Sequence, residues 1–504
     1  MDQTAFQKLK STLIHIFTLR ILIDVARKQN ITLYIGSVDI EKAFDHVPRS
    51  LLLKKLVKIG IGRLMLFALK EIYMYSVCVI KFQGELSDTF RMYRGVRQGA
   101  ASSVLLFNCF MDGLFHHLES KCSVEMFIHA IHALIHADDT IILSTSRENF
   151  IHKCNETVRF FQSNKLNLNI DKSAFLIINP KINDRKSSII LDSGVLKYES
   201  SFEYLGVIIS DTGILKQDVK SYVEKKSANV TIKFTNFCGT NKNAPFHVKL
   251  DVLDKCVTSS LLYGCETWAN CINDVEQPYR SGLKTALNVR QNLNNEIVHV
   301  ETGKFPLCGK VKSIQLKFWL FVTNKYVVEF PESALAKVVK IGLECNSKYL
   351  KHYTDLQAEY ENPIACKEAI DKKNRELYNS KMIAKHNEDP DSRLGTYYRV
   401  NPTLRDNVQN PQPNMEFEIE LVTRFRTGSH SLAVELGRYS NITRENRLCS
   451  CGNGVQTVWH VMAECCETRD IVQKNYNDLR EVFDDGNIHS TLLAITRKLK
   501  VKIR

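Results

Sequence analysis

No stretch of eighteen uncharged apolar residues occurs in this sequence, so no membrane-spanning helix is expected. The nearest approach, Met126 to Leu143, is broken by three histidines and two adjacent aspartates. A secretory leader is also missing from view. The first thirty residues, MDQTAFQKLKSTLIHIFTLRILIDVARKQN, set Lys and Arg among apolar residues at helical spacing. The expectation is an intracellular protein, nuclear or cytoplasmic, with no membrane partner. No internal repeat is found. Without an export signal, the fifteen cysteines point to reduced thiols and a metal site rather than a disulfide scaffold.

What is present is an ordinary globular composition, 44% hydrophobic and 24% charged, which excludes wholesale disorder. A chain of 504 residues is too long for one core and should divide into two to four domains. The 68 Lys+Arg exceed the 55 Asp+Glu by 13, a balance that attracts polyanions. Charge alone does not identify the partner.

Periodicity predicts a helix over 4–29, then a buried strand at LYIGSVDI (33–40). Helical spacing over 49–76 is interrupted by Gly60 and Gly62, which predicts two helices. SVCVIKF (76–82) reads as a strand, RGVRQGAASS (94–103) as a loop, and 104–120 as a helix. Around 126–145 two apolar runs flank Asp138-Asp139, which predicts a hairpin with the acids at its tip. A helix over 147–165, a strand over 173–179 and a β-rich piece ending at YLGVIIS (204–210) follow. From 215 onward the chain reads as helical and basic, with a linker near 385–415 rich in Asn, Pro and charge.

The strongest chemical signal is three aspartates at strand ends, Asp39 on the first strand and Asp138 and Asp139 on the hairpin. Adjacent strands could bring the three carboxylates together, and hard oxygen ligands of this kind suit Mg²⁺. Two such ions about 4 Å apart activate a hydroxyl and stabilise the leaving pyrophosphate in an in-line displacement. Taken singly, an Asp-Asp pair is ordinary turn chemistry and an Asp at a strand end is ordinarily solvated. His129, His132 and His136 share a helical face, but the segment should become a strand before Asp138, and buried, hydrogen-bonded histidines are the better reading.

VDIEKAFDHV (38–47), GVRQGAASSVLLFNCFMDGL (95–114), HADDTIIL (136–143), NLNIDKSAFLI (167–177) and SFEYLGVIIS (201–210) occur in order, with YGCETW (263–268) after them. This series resembles the successive palm motifs of LINE-like, non-LTR retrotransposon reverse transcriptases, from about residue 4 to 300. The resemblance implies an RNA-directed DNA polymerase using two Mg²⁺ ions held by Asp39, Asp138 and Asp139 with the carbonyl of Ile40. Its partners would be an RNA template, a DNA primer or target, and dNTPs. Phe44 matches the bulky residue that excludes a ribose 2′-hydroxyl, although a core Phe under the strand fits the pattern equally. Arg97, Gln98 and Gly99 match the segment lying against incoming nucleotide and template, and Arg94 could reach phosphate. Lys172 matches a lysine that protonates the leaving pyrophosphate. Tyr204, Leu205 and Gly206 match a primer-gripping turn. His136 stands where the family usually has an aromatic residue, and Val104 where it usually has Pro. Since 38 residues precede Asp39, the resemblance implies fingers lying upstream and a chain shortened at its N-terminus. A nucleic-acid-binding remnant without turnover is the alternative.

Near the C-terminus, Cys449, Cys451, His460 and Cys465 form C-x-C-x8-H-x4-C, a donor set suited to tetrahedral Zn²⁺. Cys466 could substitute as a ligand, and free buried thiols in a helical domain are the alternative. Such a module would grip RNA or target DNA beside Trp459. The expected fold is α+β: a right-hand polymerase palm of mainly antiparallel sheet backed by helices, a helical thumb, and a helical C-terminal region with a small Cys/His module. The expected domains are a remnant of fingers or connecting helix (1–32), palm (33–210), thumb-like helices (211–300), a helical connector (301–415) and the Cys/His domain (416–504).

Overall fold

The computed structural model describes residues 7–125, 128, 131–181, 187–401 and 416–501. These residues form two compact units. One gathers the chain up to 222 with 266–271 and 315–359; the other gathers 223–265, 272–314 and the chain from 360 onward. Among the described residues, no helix is long and apolar enough to cross a membrane.

The first unit is built on six strands: β1 (Leu33–Val38), β2 (Ala133–His136), β3 (Asp139–Ser144), β4 (Ala174–Ile178), β5 (Ile189–Leu191) and β6 (Gly194–Tyr198). They lie in the order β2-β3-β1-β4-β6-β5, and every pairing except β4 with β6 is antiparallel. β1 is central. Its Leu33 and Ile35 enter one core with Leu134, Ile141 and Leu143, while Tyr34 and Val38 enter another with Ile135, Ile142 and Phe175. A strand buried on both faces needs an apolar run rather than alternation, and LYIGSV supplies one.

The helix expected over 4–29 is α1 (Thr12–Lys28), with 12 of its 17 residues buried. One face packs on the sheet. The other is covered by helices Ala334–Glu344 and Lys348–Glu359 of the same unit. Phe17 sits inside a ring of aromatics, 5.2 Å from Phe318 and 5.1 Å from Tyr353 between centroids. Residues 315–359 therefore pack with the sheet-bearing unit, within the span that the sequence alone assigns to a connector. Arg20, on α1, makes a fully buried ion pair with Asp218 and donates through Nη2 to the Ile208 carbonyl at 2.7 Å.

Other expectations change in detail. The helix over 104–120 is two helices, Ala101–Met111 and Leu114–Lys121, separated at Gly113 with φ 101°. The strand over 76–82 resolves into two-residue pieces: Lys81–Phe82 forms a short hairpin with Glu85–Leu86, and Val77–Cys78 pairs outside it with Phe90–Arg91. The linker region is helical through Pro363–Glu388 and Arg393–Val400, and 402–415 lie outside the described residues, as does His129. His132 is fully buried ahead of β2, and His136 ends that strand.

The second unit is helical. Its C-terminal core joins Leu421, Phe425, Val434, Val461, Met462 and Leu492. The segment 448–455 enters this region through an isolated bridge between Leu448 and Val455.

Candidate active site

The antiparallel register of β1 and β3 places Val38 opposite Thr140. One step further along both strands stand Asp39 and Asp139. β2 and β3 are joined through His136 opposite Asp139, so Ala137 and Asp138 form a two-residue turn, with Ala137 at a φ of 55°. Three carboxylates thus meet at two abutting strand ends, as the sequence pattern suggests.

Asp39 is held from below by the segment after the long helix Arg147–Ser163. Asn169 donates through Nδ2 to Asp39 Oδ2 at 2.9 Å, and its backbone N–H donates to the Asp39 carbonyl at 2.9 Å. The Asp39 N–H donates to Ser173 Oγ at 3.0 Å, and Ile40 bridges to Leu168. Asn169 and Ser173 do not stand out in the sequence, although both lie in the NLNIDKS string that carries Lys172. What they supply is orientation: each fixes the strand end that presents Asp39.

A cleft of about 620 Å³ opens over this strand end, within the size range of small-ligand sites. Asp39, Ile40, Phe44, Gln98, Asp138 and Lys172 all line it. Gly95, at a φ of 83°, lets the loop approach closely: a Cβ there would sit 2.8 Å from the Asp45 carbonyl oxygen. The Gly95 and Val96 N–H groups donate to the carbonyls of Val47 and Phe44, both at 2.9 Å. Gln98 then donates to Asp45 Oδ1 at 2.9 Å, and Gly99 stands exposed beside it at a φ of 81°. Phe44 does two things. It lines the cleft and stacks on Phe107, with centroids 4.6 Å apart. Arg97 turns elsewhere, donating to the Ile72 carbonyl at 3.1 Å and Ser76 Oγ at 3.2 Å.

The electrostatics follow from crowding. Burial, and then the neighbouring Asp138 and Asp39, push Asp139 up to about 6, although its side chain reaches solvent at the rim. Burial also raises Asp39, opposed by the nearby Lys172 ammonium and the Asn169 hydrogen bond. The crowding around Asp39 and Asp139 suits a hard divalent cation, because a bound cation would offset the repulsion between the carboxylates.

The strands β7 (Ser201–Tyr204) and β8 (Val207–Ser210) form a hairpin whose turn residues, Leu205 and Gly206, have φ of 46° and 80°. Positive φ at both central positions is the turn that matches strand twist. Tyr204 is buried, and its hydroxyl meets His15 Nδ1 at 3.2 Å. Burial, followed by the charge of Asp139, raises the Tyr204 phenol, so the hairpin lies within electrostatic reach of the carboxylates.

In the other unit, Cys449, Cys451, His460 and Cys465 converge, with all four ligand atoms within 4.8 Å of one another. The Cys449 and Cys465 sulfurs are 3.7 Å apart, and Cys451 Sγ is 3.2 Å from His460 Nε2. Ligand bonds of about 2.0–2.3 Å around tetrahedral zinc require roughly this spacing. The Asn453 N–H, and after it the interaction with His460, hold the Cys451 thiol down at about 7, while burial raises Cys449. His460 Nδ1 lies 3.3 Å from Glu464 Oε2, the arrangement that orients a metal-binding imidazole. Cys466 is exposed and outside the four-residue cluster. Trp459 donates to Glu464 at 2.8 Å.

Residues 1–209 match the family "Reverse transcriptase (RNA-dependent DNA polymerase)". The chain is 28% identical over 201 residues to the Pol polyprotein of a type-1 retrotransposable element R2 from Nasonia vitripennis, covering 38% of this chain and 20% of that protein. It is 24% identical over 329 residues to an R2 polyprotein from Popillia japonica, covering 62% of this chain and 45% of the relative. A third relative, the R2DM polyprotein of Drosophila melanogaster, is 27% identical over 188 residues, 36% of this chain and 18% of that one. The chain thus spans less than half the length of each of these three relatives.

Proposed function

We propose that this chain is an RNA-directed DNA polymerase of the non-LTR retrotransposon kind, adding dNTPs to a DNA 3′-hydroxyl along an RNA template; the match of residues 1–209 to the reverse transcriptase family and the similarity to R2 Pol polyproteins support the reading. The observation that carries the reading is the meeting of Asp39 with Asp138 and Asp139 at two adjacent strand ends. Reverse transcriptases as a family use divalent metal ions, and the ions proposed here are two Mg²⁺. Asp39, Asp138 and Asp139, with the carbonyl of Ile40, would hold them. When bound, they lower the pKa of the attacking hydroxyl and neutralise charge on the departing pyrophosphate.

The remaining assignments concern the chain's own groups. Lys172 lines the cleft beside Asp39 and would give a proton to the leaving pyrophosphate. Phe44 would close the space beside the sugar, and its stack on Phe107 keeps the ring from yielding to a 2′-hydroxyl. Gln98, tethered to Asp45, would hydrogen-bond nucleotide or template, with Gly99 leaving room for close approach. Arg97 is proposed to act on the same loop by anchoring it to the 72–76 segment. Tyr204, Leu205 and Gly206 would support the primer end. In the helical unit, Cys449, Cys451, His460 and Cys465 would hold a structural Zn²⁺ in a module that binds nucleic acid. The proposed domain plan is a palm over 33–210, thumb-like helices over 211–300 and a Cys/His domain from 416.

Primer extension on poly(rA)/oligo(dT) with Mg²⁺ tests the reading. Extension that is lost in both Asp138→Asn and Asp139→Asn supports it. Binding of the hybrid with no extension by the unaltered chain would leave the nucleic-acid-binding remnant instead.

A further inference from the structure

The helical unit holds a second cavity, of about 580 Å³, that takes no part in the chemistry above. Its walls include Lys381, Lys385, Arg393 and Arg438, with Glu296 as the acid among the lining residues. Arg290 stands at its edge, donating to the Tyr439 hydroxyl at 2.8 Å. Against these five cations stand Glu435, which pairs with Arg393 and Arg438, Glu296, 3.7 Å from Lys381, and Glu388, 2.9 Å from Lys385. The cavity keeps an excess of positive charge. Arg438 Nε is buried and lies 3.2 Å from Glu435 Oε1, yet completes no hydrogen bond.

Two helix N-termini open on the same space. Asn294 and Glu296 line it from the start of helix Asn295–Thr302, and Ser392, Arg393 and Leu394 from the start of helix Arg393–Val400. Each helix end adds about half a positive charge, and the second is capped from within, the Gly395 N–H donating to Ser392 Oγ at 3.0 Å. The helix carrying Arg438 and Tyr439 is braced by the Cys/His segment, since the Ala433 N–H donates to Gln456 Oε1 at 2.8 Å and Arg447 donates to the Val434 carbonyl at 3.0 Å.

We propose that this cavity seats a phosphate group of a nucleic-acid backbone. The donors and charges fit a phosphate oxyanion, which Arg and Lys recognise through just such charge-assisted bonds. A base is a poorer fit, because the Arg290 guanidinium already covers the Tyr439 ring, 4.8 Å from its centroid. The choice of nucleic acid as the source of the phosphate rests on the polymerase reading. Arg393 already donates to Glu435 and Tyr439, and Arg438 to the Asp391 carbonyl, so the groups a phosphate draws on most readily are Lys381 and Lys385, whose rim pairs contribute little to stability.

The test uses the full chain and a fluorescent DNA duplex, with affinity measured across a salt series. Lys381→Gln/Lys385→Gln should weaken binding and flatten the log–log salt slope by about 0.9 for each phosphate that is no longer neutralised. Lys372→Gln/Lys373→Gln removes the same charge from exposed positions of the same helix and should leave the slope unchanged. Equal changes in the two pairs, or none in either, overturn the proposal. Saturable heat with inorganic phosphate alone, abolished in Lys381→Gln/Lys385→Gln while the duplex slope stays put, also overturns it by assigning the cavity to free phosphate. Primer extension is run in parallel. A slope effect in a chain that extends no primer sinks the polymerase reading and keeps this one; normal extension with no slope effect does the reverse.

Discussion

Asp39 and Asp139 face each other across the antiparallel pair β1–β3, one register step beyond Val38 and Thr140. The relationship is set by hydrogen-bond register, not by side-chain rotamers, so it persists wherever the sheet is folded. It also stores repulsion: burial and two neighbouring carboxylates hold Asp139 at about 6.

That repulsion gives a pH signature. An acid raised in the folded state binds protons that the unfolded chain has already released, so between about 4 and 6 stability falls as pH rises. Metal-free protein should therefore melt at a higher temperature near pH 5 than at pH 8, as far as this group is concerned. Asp139→Asn should remove that contribution and raise Tm at pH 8, while Mg²⁺ should raise Tm of the unaltered chain more than that of the variant. Differential scanning fluorimetry in chelator and in Mg²⁺ reads this; identical pH profiles for both proteins contradict it.

Phe44 faces the cleft and stacks on Phe107 at the same time. Phe44→Val should raise the use of ribonucleotides relative to deoxynucleotides by about tenfold or more, the range in which a pocket senses one small group. If the ring served packing alone, Tm would drop and the ratio of kcat/KM values for the two nucleotides would not move. Single-nucleotide incorporation with each substrate separates these outcomes.

Arg20 and Asp218 are buried at 5% and 1% side-chain exposure. Removing one partner of such a pair leaves an uncompensated charge, at a cost of about 3–5 kcal/mol. Asp218→Ala should show that loss in urea unfolding, and Arg20→Met/Asp218→Leu should recover much of it. A double variant whose loss equals the sum of the losses in Arg20→Met and Asp218→Leu alone would show that the pair is not coupled.

The hairpin and its acids are legible in the sequence because two apolar runs flank Asp138-Asp139, leaving too few residues for anything but a tight turn. Gly60 and Gly62 likewise mark the break between helices Arg49–Lys58 and Arg63–Met74. Gly113 breaks a helix that periodicity runs straight through, because its positive φ is a backbone choice that apolar spacing does not reveal. The burial of α1 on nearly all sides is not legible either. Its second cover comes from helices 334–344 and 348–359, hundreds of residues later. Arg97 shows a further limit: a loop arginine chooses between a ligand and a nearby carbonyl only once the 72–76 segment is in place. The proposed roles of site residues are carried by resemblance, and the supports Asn169 and Ser173 become visible only with the strand end they hold.

The Cys/His cluster predicts one zinc per chain by elemental analysis after dialysis, and none in Cys449→Ser/Cys465→Ser. Zinc held this way is worth about 10 kcal/mol or more. The neighbouring helices share their own core of Leu421, Val461 and Leu492, so chelation should speed amide exchange mainly in 447–466. Folded, protected protein with no zinc would contradict the assignment.

The central claim is that Asp39, Asp138 and Asp139 share divalent cations. It is tested most directly by counting Mn²⁺ bound to the chain, with primer–template and dNTP present, by electron paramagnetic resonance. Two bound ions are expected in the unaltered chain, falling in Asp39→Asn and in Asp139→Asn. Unchanged stoichiometry in both variants would contradict it.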